Sequence, residues 1–453
     1  MRNSCALSIL ILTLVSLASG EAALAQRGDF SFWTQIGASD ATAGARFGRE
    51  VTLSADGSTA LVSAGMGDCS VNPCAPAAYV FVRDRGSWIQ QAKLPAPGNP
   101  PGETNLRIAL SGDGNIALLG VAGVGCALGG RCGAVYVYTR SGTAWTLQQT
   151  LHASEPKAQG YFGVGVAISG DGNTALISSI GASCGTITSS CGAAYVFTRA
   201  GGVWTERQKL LEPTPNTYFG RNVSLSGDGN TALVVGGFDL GSFLGRIYVF
   251  TRNGDVWSLQ DTIFPPAGIN DFASTEQAIS ADGNVILARG GSDGFSGSAF
   301  VFIRTGGTWS QEAVLPGSSA TYPYGGSFDL TDDGQTALVV SQPGSCAPAF
   351  SCGPVDVFAR NGGAWDHVQQ FAPPGLAAGA FVGPVSLSGD GTTALLGVPD
   401  QPCAAGASCG AGYLFTSAPL AVGIPTLGGT GLALLTLGLA VGALILLQRR
   451  RLI

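Results

Sequence analysis

SGDGNTAL, Ser169 to Leu176, is the stretch around which the chain is spaced. Its Asp-Gly pair returns at Asp56, Asp113, Asp171, Asp228, Asp282, Asp333 and Asp390, at intervals of 57, 58, 57, 54, 51 and 57 residues. A period of that length over most of a chain marks a repeat architecture. Within each unit an alternating run such as VTLS or VAIS leads into Ser-x-Asp-Gly, and a second apolar run such as TALVS follows. Asp-Gly between two such runs predicts a hairpin, because glycine takes a positive φ without a Cβ clash. The carboxylate can accept a backbone N–H two residues on, so all seven aspartates read as turn residues before they read as catalysts. A third run, such as AAYVFTR at Ala193 to Arg199, a Gly-containing turn and a fourth run opening on Trp complete the unit. Four short strands with turns between them describe a propeller blade.

The tryptophans set the count. Trp88, Trp145, Trp204, Trp257, Trp309 and Trp365 each follow an Asp-Gly by 27 to 33 residues. The seventh repeat has its Asp390 turn and a third strand, Ala411 to Phe415, but no Trp after it. The missing strand stands at the other end, in FSFWTQI from Phe30 to Ile36, which holds Trp33. The expected fold is therefore all-β: a seven-bladed β-propeller of four-stranded blades over residues 29–416, with the last blade completed by residues 30–36. Such closure removes two open sheet edges. An open solenoid of the same repeats leaves the first strand unexplained.

Charged residues make up 11% of the chain and 69 of 453 residues are glycine, as many short turns require. The net charge of −6, with no basic cluster before the last residues, argues against a nucleic-acid partner. Residues 1–25 read as a secretory signal: Arg2, an apolar run from Ala6 to Leu17, and Ala23-Leu24-Ala25 with cleavage after Ala25. The run is short for a retained anchor. Cys5 would leave with the signal. Ten cysteines remain as five close pairs, Cys69 and Cys74, Cys126 and Cys132, Cys184 and Cys191, Cys346 and Cys352, Cys403 and Cys409, each between the second and third strands of its blade. In an exported chain these predict disulfides. Metal binding would need two pairs brought together or added histidines, and the chain has His152 and His367 only, in different blades. No metal and no cofactor is expected.

Phe47-Gly48, Phe162-Gly163, Phe219-Gly220 and Tyr324-Gly325 stand nine residues before their Asp, and Phe381-Val382-Gly383 has its Gly displaced. Blades two and five depart, with Thr104-Asn105 and Ala273-Ser274 there. As a set these units resemble FG-GAP repeats, the units of integrin-alpha-type propellers, over about 390 residues. The resemblance implies a propeller and a role in extracellular contact. Its calcium loop, Asp-x-Asp-x-Asp-Gly, is missing, since Ser or Thr and then Gly, Ala or Asp precede each Asp-Gly. After Phe415 comes a linker, residues 417–427. Residues 428–447 then run uncharged for the length of a bilayer crossing, and residues 448–453 carry Arg449, Arg450 and Arg451. Ile424-Pro425-Thr426-Leu427, a single helix and terminal arginines resemble the IPTL-CTERM sorting tail of Gram-negative bacteria. That resemblance implies sorting within the envelope, with a sorting protease as partner. The alternative is a plain single-pass anchor.

Candidate chemistry is sparse. His152 and His367 fall in or after fourth strands, the outermost, and read as exposed bystanders. Ser169 to Thr174 and Ser226 to Thr231 partly resemble the Asp-box of sialidase propellers, without its following aromatic. Acids off the repeat pattern include Glu50, Glu103, Asp271, Glu276 and Asp329; Glu276 and Asp329 fall in first strands, which line a propeller's channel. The arginines that end third strands (Arg83, Arg140, Arg199, Arg252, Arg304, Arg360) form a ring by repetition, either a polyanion face or charges flanking the turn. The expectation is an exported, membrane-tethered or surface-sorted binding or adhesion module, not an enzyme, meeting a protein or glycan ligand at the cell envelope. A glycosidase-like propeller would instead show a deep channel lined by paired acids. A purely structural surface protein would show a pocket-free rim.

Overall fold

The computed structural model describes residues 29–65, 76–98, 106–184, 187–212, 218–237, 243–269, 271–291, 297–315, 324–341, 353–377 and 380–417. The signal segment with Ala25, the IPTL motif at Ile424 to Leu427, the segment 428–447 and the arginine tail lie outside them. Every regular element among the described residues is a strand.

Seven antiparallel sheets follow one another over residues 51–95, 106–151, 162–210, 223–263, 271–315, 324–371 and 385–417, and here they are blades one to seven. Blade seven takes its outer strand from the start of the chain: Phe30–Ile36 pairs antiparallel with Ala411–Ser417, Phe30 opposite Ser417 and Ile36 opposite Gly412. The seventh Trp belongs where the orphan strand placed it. Two additions decorate the pattern. Ser183–Cys184 and Ile187–Ser190 form a small ribbon in the cysteine loop of blade three, and Phe243–Leu244 runs parallel to the start of Asp271–Ile279.

The second strands are buried along their whole length, as in Thr59–Ala64 and Thr174–Ser179, because each sheet is covered by a neighbour on both faces. Their continuous apolar runs follow from that. The outer strands alternate toward solvent, as in Ala144–Leu151. Seven hydrophobic clusters fill the seven interfaces between blades. Blade two shows the rule: Ala117, Leu119 and Val121 face blade one, while Ile116 and Leu118 face blade three.

The aromatic of the Phe-Gly pair is the wedge at these interfaces. Phe47, Phe162 and Phe219 are fully buried, each meeting two aromatic rings of its own third strand edge-on. Each also bridges to a glycine of the preceding blade, Gly410, Gly133 and Gly192 respectively. Blades five and seven fill this seat differently from what the nine-residue spacing predicts. Blade five keeps the wedge as Phe272, edge-on to Phe300 and Phe302, with Ala273 at φ 51° in the place of the Gly. One extra residue before Asp282 hid it from the nine-residue spacing. In blade seven Phe381 is exposed and Val382 is buried against Gly353, so Val382 fills the seat.

Outer strands are tied across the same interfaces by glutamines. Gln149 gives and receives a hydrogen bond from the Trp204 backbone, Gln208 does so with Trp257, and Gln369 with Phe30 at the closing strand.

Candidate functional site

The Asp-Gly turns are built as the hairpin reading requires. Ser169 Oγ donates to Asp171 Oδ1 at 2.5 Å and accepts from Thr174 N at 3.0 Å, while Asn173 N donates to Asp171 Oδ1 at 2.9 Å. Gly172 sits at φ 68°. The arrangement recurs at all seven turns, with Thr331 in place of Ser in blade six. Burial alone would raise the Asp171 carboxyl, but the bonds from Ser169 and Asn173 and the nearby Arg252 hold it below the usual range.

The residue before each Asp joins a ring. Ala55 N donates to Gly112 O, Gly112 N to Gly170 O, Gly170 N to Gly227 O, Asp228 N to Ala281 O, Ala281 N to Asp332 O, Asp332 N to Gly389 O, and Asp390 N to Ala55 O. Seven backbone hydrogen bonds thus close around the axis. A Cβ on Gly112 would stand 2.9 Å from Gly170 O, so the close approach there favours Gly.

The arginine ring is committed to the same end of the molecule. Arg140 donates to Asn115 Oδ1 of its own turn at 2.8 Å and to Thr59 Oγ1 of the preceding blade at 3.3 Å, and stacks over Trp145. Arg252 and Arg304 repeat this toward Thr174 and Thr231. Arg360 instead forms a bidentate pair with Glu312. Three of the six guanidiniums thus latch neighbouring turns and Arg360 ties its blade to an outer strand, while Arg83 lies over Trp33 and Arg199 Nε has no hydrogen-bond partner. For the four that are engaged this favours the flanking-charge reading over a polyanion face.

His152 is exposed. His367 is exposed too, but it is not idle: its Nε2 lies 2.8 Å from Oδ1 of the fully buried Asp356, which also accepts from Gln370. Asp356 stands where Tyr79, Tyr136, Tyr195 and Tyr248 stand in other blades, so this pair satisfies a buried acid. Disulfides join Cys126 to Cys132 and Cys403 to Cys409, and Cys191 is disulfide-bonded. Cys69, Cys74, Cys346 and Cys352, and the Cys184 side chain, lie outside the described residues, as does Glu103. Asp271 opens the first strand of blade five.

The channel is where unrepeated chemistry collects. The first strands surround an axial cavity of about 470 Å³. Its lining runs from Arg49 and Gly383 to Leu110, Ile168, Leu225 and Ile279, and stops short of the hydrogen-bonded ring. Six residues before each turn Asp stand Glu50, Arg107, Gly165, Asn222, Glu276, Ser327 and Pro384. Glu50 and Arg107, from blades one and two, form an ion pair. Around a seven-fold ring, blade five stands opposite that boundary, and it presents Glu276. Burial pushes the Glu276 carboxyl up to about 7, helped by Glu50 and opposed by bonds from Ser327 and the Phe328 N–H and by Arg107. Asp329 is pushed up to about 6 by burial, although Leu387 N and Leu330 N each donate to it at 2.8 Å and Ser386 Oγ at 3.3 Å. Glu50 holds the Arg107 guanidinium above its ordinary value, while burial and Arg46 lower that of Arg49. The sequence placed Glu276 and Asp329 in the channel; it did not show Glu50 and Arg107 facing Glu276, because blade order becomes geometry only when the ring closes. Among the described residues no group of three or more His, Cys, Asp and Glu is arranged to hold a metal ion.

Residues 31–81 and 145–197 match the FG-GAP repeat. The matched unit runs from the outer strand of one blade through the third strand of the next, so its register crosses an interface. No curated protein matches the sequence. Among solved structures, the periplasmic gluconolactonase of Pseudomonas aeruginosa is similar at 18% identity, covering 71% of this chain and 84% of that one, with a TM-score of 0.45. The C-terminal WD40 domain of Sif2 is similar at 12% identity, covering 86% and 99%, with a TM-score of 0.49.

Proposed function

We propose that the protein is an exported β-propeller binding module whose ligand seat is the axial channel, tethered to the membrane or sorted to the cell surface by its tail. One observation carries the channel reading: the Glu50–Arg107 pair faces Glu276 across the lumen. Turn, ring and wedge positions repeat because blade packing requires them. The channel positions do not repeat, and nothing in the packing calls for charges there. Disulfides and FG-GAP repeats support an oxidising, extracytoplasmic setting. The partner is a glycan or a protein segment small enough to enter the channel, and no cofactor is needed.

The test is binding of the full-length chain to an array of glycans and peptides, alongside a Glu50→Ala/Arg107→Ala double variant. The pair is partly solvent-exposed, so its removal leaves the fold intact. Ligands lost in the variant support the channel; ligands held equally by both proteins put the seat elsewhere.

A second reading has its own observation. Glu276, raised toward neutrality, opposite the arginine-paired carboxylate of Glu50 is a proton donor facing a base, the division of labour of glycoside hydrolysis. Glu276 would protonate the leaving oxygen and Glu50 would take a proton from water. Turnover of aryl glycosides that disappears in Glu276→Gln would establish it, and no turnover by the intact protein would remove it.

A further inference from the structure

Five residues before the turn Asp, six blades carry an apolar side chain: Val51, Ile108, Val166, Val223, Phe328 and Val385. Blade five carries Gln277. Its strand register pairs it with Ala288, which packs in the cluster facing blade four, as does Ile279 two residues on. Gln277 is only 7% exposed, lines the channel, and has no hydrogen-bond partner for either Oε1 or Nε2. A buried carboxamide with neither half bonded is rare, because both lost hydration bonds remain unreplaced. Valine would serve the packing at this position, as it does in four other blades.

The charged groups around the lumen are otherwise compensated. Glu50 is paired with Arg107, and Asp329 accepts three hydrogen bonds. What remains without a partner is one neutral donor and one neutral acceptor side by side. An ion satisfies at most one of them. A hydroxyl both donates and accepts, and a pair of neighbouring hydroxyls matches a carboxamide at both atoms.

We propose that the channel takes a neutral polyhydroxy ligand, a sugar unit or the end of a glycan, and that Gln277 determines its specificity. The proposal rests on the reading of the channel as the ligand seat. The half-buried apolar lining beside Gln277, Ala278 and Ile279, suits the C–H face of a sugar ring.

The experiment titrates the full-length chain, in a detergent without a sugar headgroup, with glucose, galactose, N-acetylglucosamine and maltose. Glucosamine and glucuronate serve as charged counterparts. A neutral sugar binds the native protein, Gln277→Val weakens it about tenfold or more, and Gln277→Asn retains part of the affinity. Gln277→Val also melts no lower than the native protein, which separates recognition from a structural role. Binding of a charged sugar without any neutral one, lost in the Glu50→Ala/Arg107→Ala variant, overturns the ligand class and keeps the seat. Neutral-sugar binding unchanged in Gln277→Val and in the double variant overturns both. No binding of any of the six sugars overturns the proposal.

Discussion

Glu276 makes the stability of the propeller depend on pH in a direction opposite to that of its turn aspartates. Its carboxyl is raised from 4.5 in the unfolded chain to about 7 in the folded one, chiefly by burial. A raised acid favours the folded state fully below its unfolded value, and that contribution is lost as the pH rises through the folded value. The loss therefore falls between about pH 4.5 and 7 and amounts to roughly 2 kcal/mol after allowing for channel solvent. Asp329 adds a smaller loss in the same direction, from 3.8 to about 6. Asp56, Asp113, Asp171 and Asp282 are held below their ordinary value, so their stabilisation is present above it and disappears only on stronger acidification. The two windows do not overlap. Calorimetry of the native protein should show a melting temperature that falls from mildly acidic to neutral pH, and Glu276→Gln should flatten much of that slope. An unchanged slope in the variant would mean that Glu276 is not the group responsible.

The interface wedge is the element that locks one blade to the next. A Cβ on Gly410 would lie 2.0 Å from Phe47 O, and one on Gly192 would lie 1.8 Å from Phe219 O, with both glycines at positive φ. Neither clash has a flexible side chain to yield, so Gly192→Ala should destabilise by about 3 kcal/mol or more, read as a fall in the denaturant midpoint. Gly86→Ala is the control, since its turn has open space around it despite a similar φ. It should lose only about 1 kcal/mol from backbone strain. The closing strand makes a second prediction at this scale. Deleting residues 1–36 removes the partner of Ala411–Ser417 and leaves Gln369 without the Phe30 backbone. The truncated chain should melt lower and associate through its open edge, and adding the peptide of residues 29–37 should restore part of the loss. A truncated chain that stays monomeric with the native melting point would show that the strand does not close the ring. The strand was legible because Trp33 had no repeat of its own. Phe272 was not, since one inserted residue breaks a spacing rule while the strand absorbs it as a register shift between Phe272 and Gln277.

At the scale of the whole molecule, repetition told the sequence apart into scaffold and site, but only the scaffold half could be read directly. Asp-Gly turns and Trp strands recur in register and hold turns and edges, and the cysteine pairs Cys126–Cys132 and Cys403–Cys409 each close a loop. The channel is composed of what fails to recur, and an unrepeated residue in one strand has no partner in sequence. Gln277 did carry a signal, a lone polar residue in a column of apolar ones, visible only once the first strands are aligned on their turns. The same contrast bears on where the molecule works. The ring closes on its own N-terminal strand, Phe30–Ile36, and disulfides close two of the described loops, so blade seven takes its outer strand from the start of the chain. A tail bearing Ile424-Pro425-Thr426-Leu427 should therefore be separable from a propeller that remains folded. Fractionation of the native cells followed by intact-mass measurement decides between two states. A mass lacking residues 1–25 and everything after about Leu427, with the ten remaining cysteines oxidised, means sorting to the surface, where the channel meets glycans outside the cell. A chain that keeps residues 428–453 and stays in the inner membrane overturns sorting. It would hold the channel in the periplasm, where diffusing small molecules replace surface glycans as its ligands.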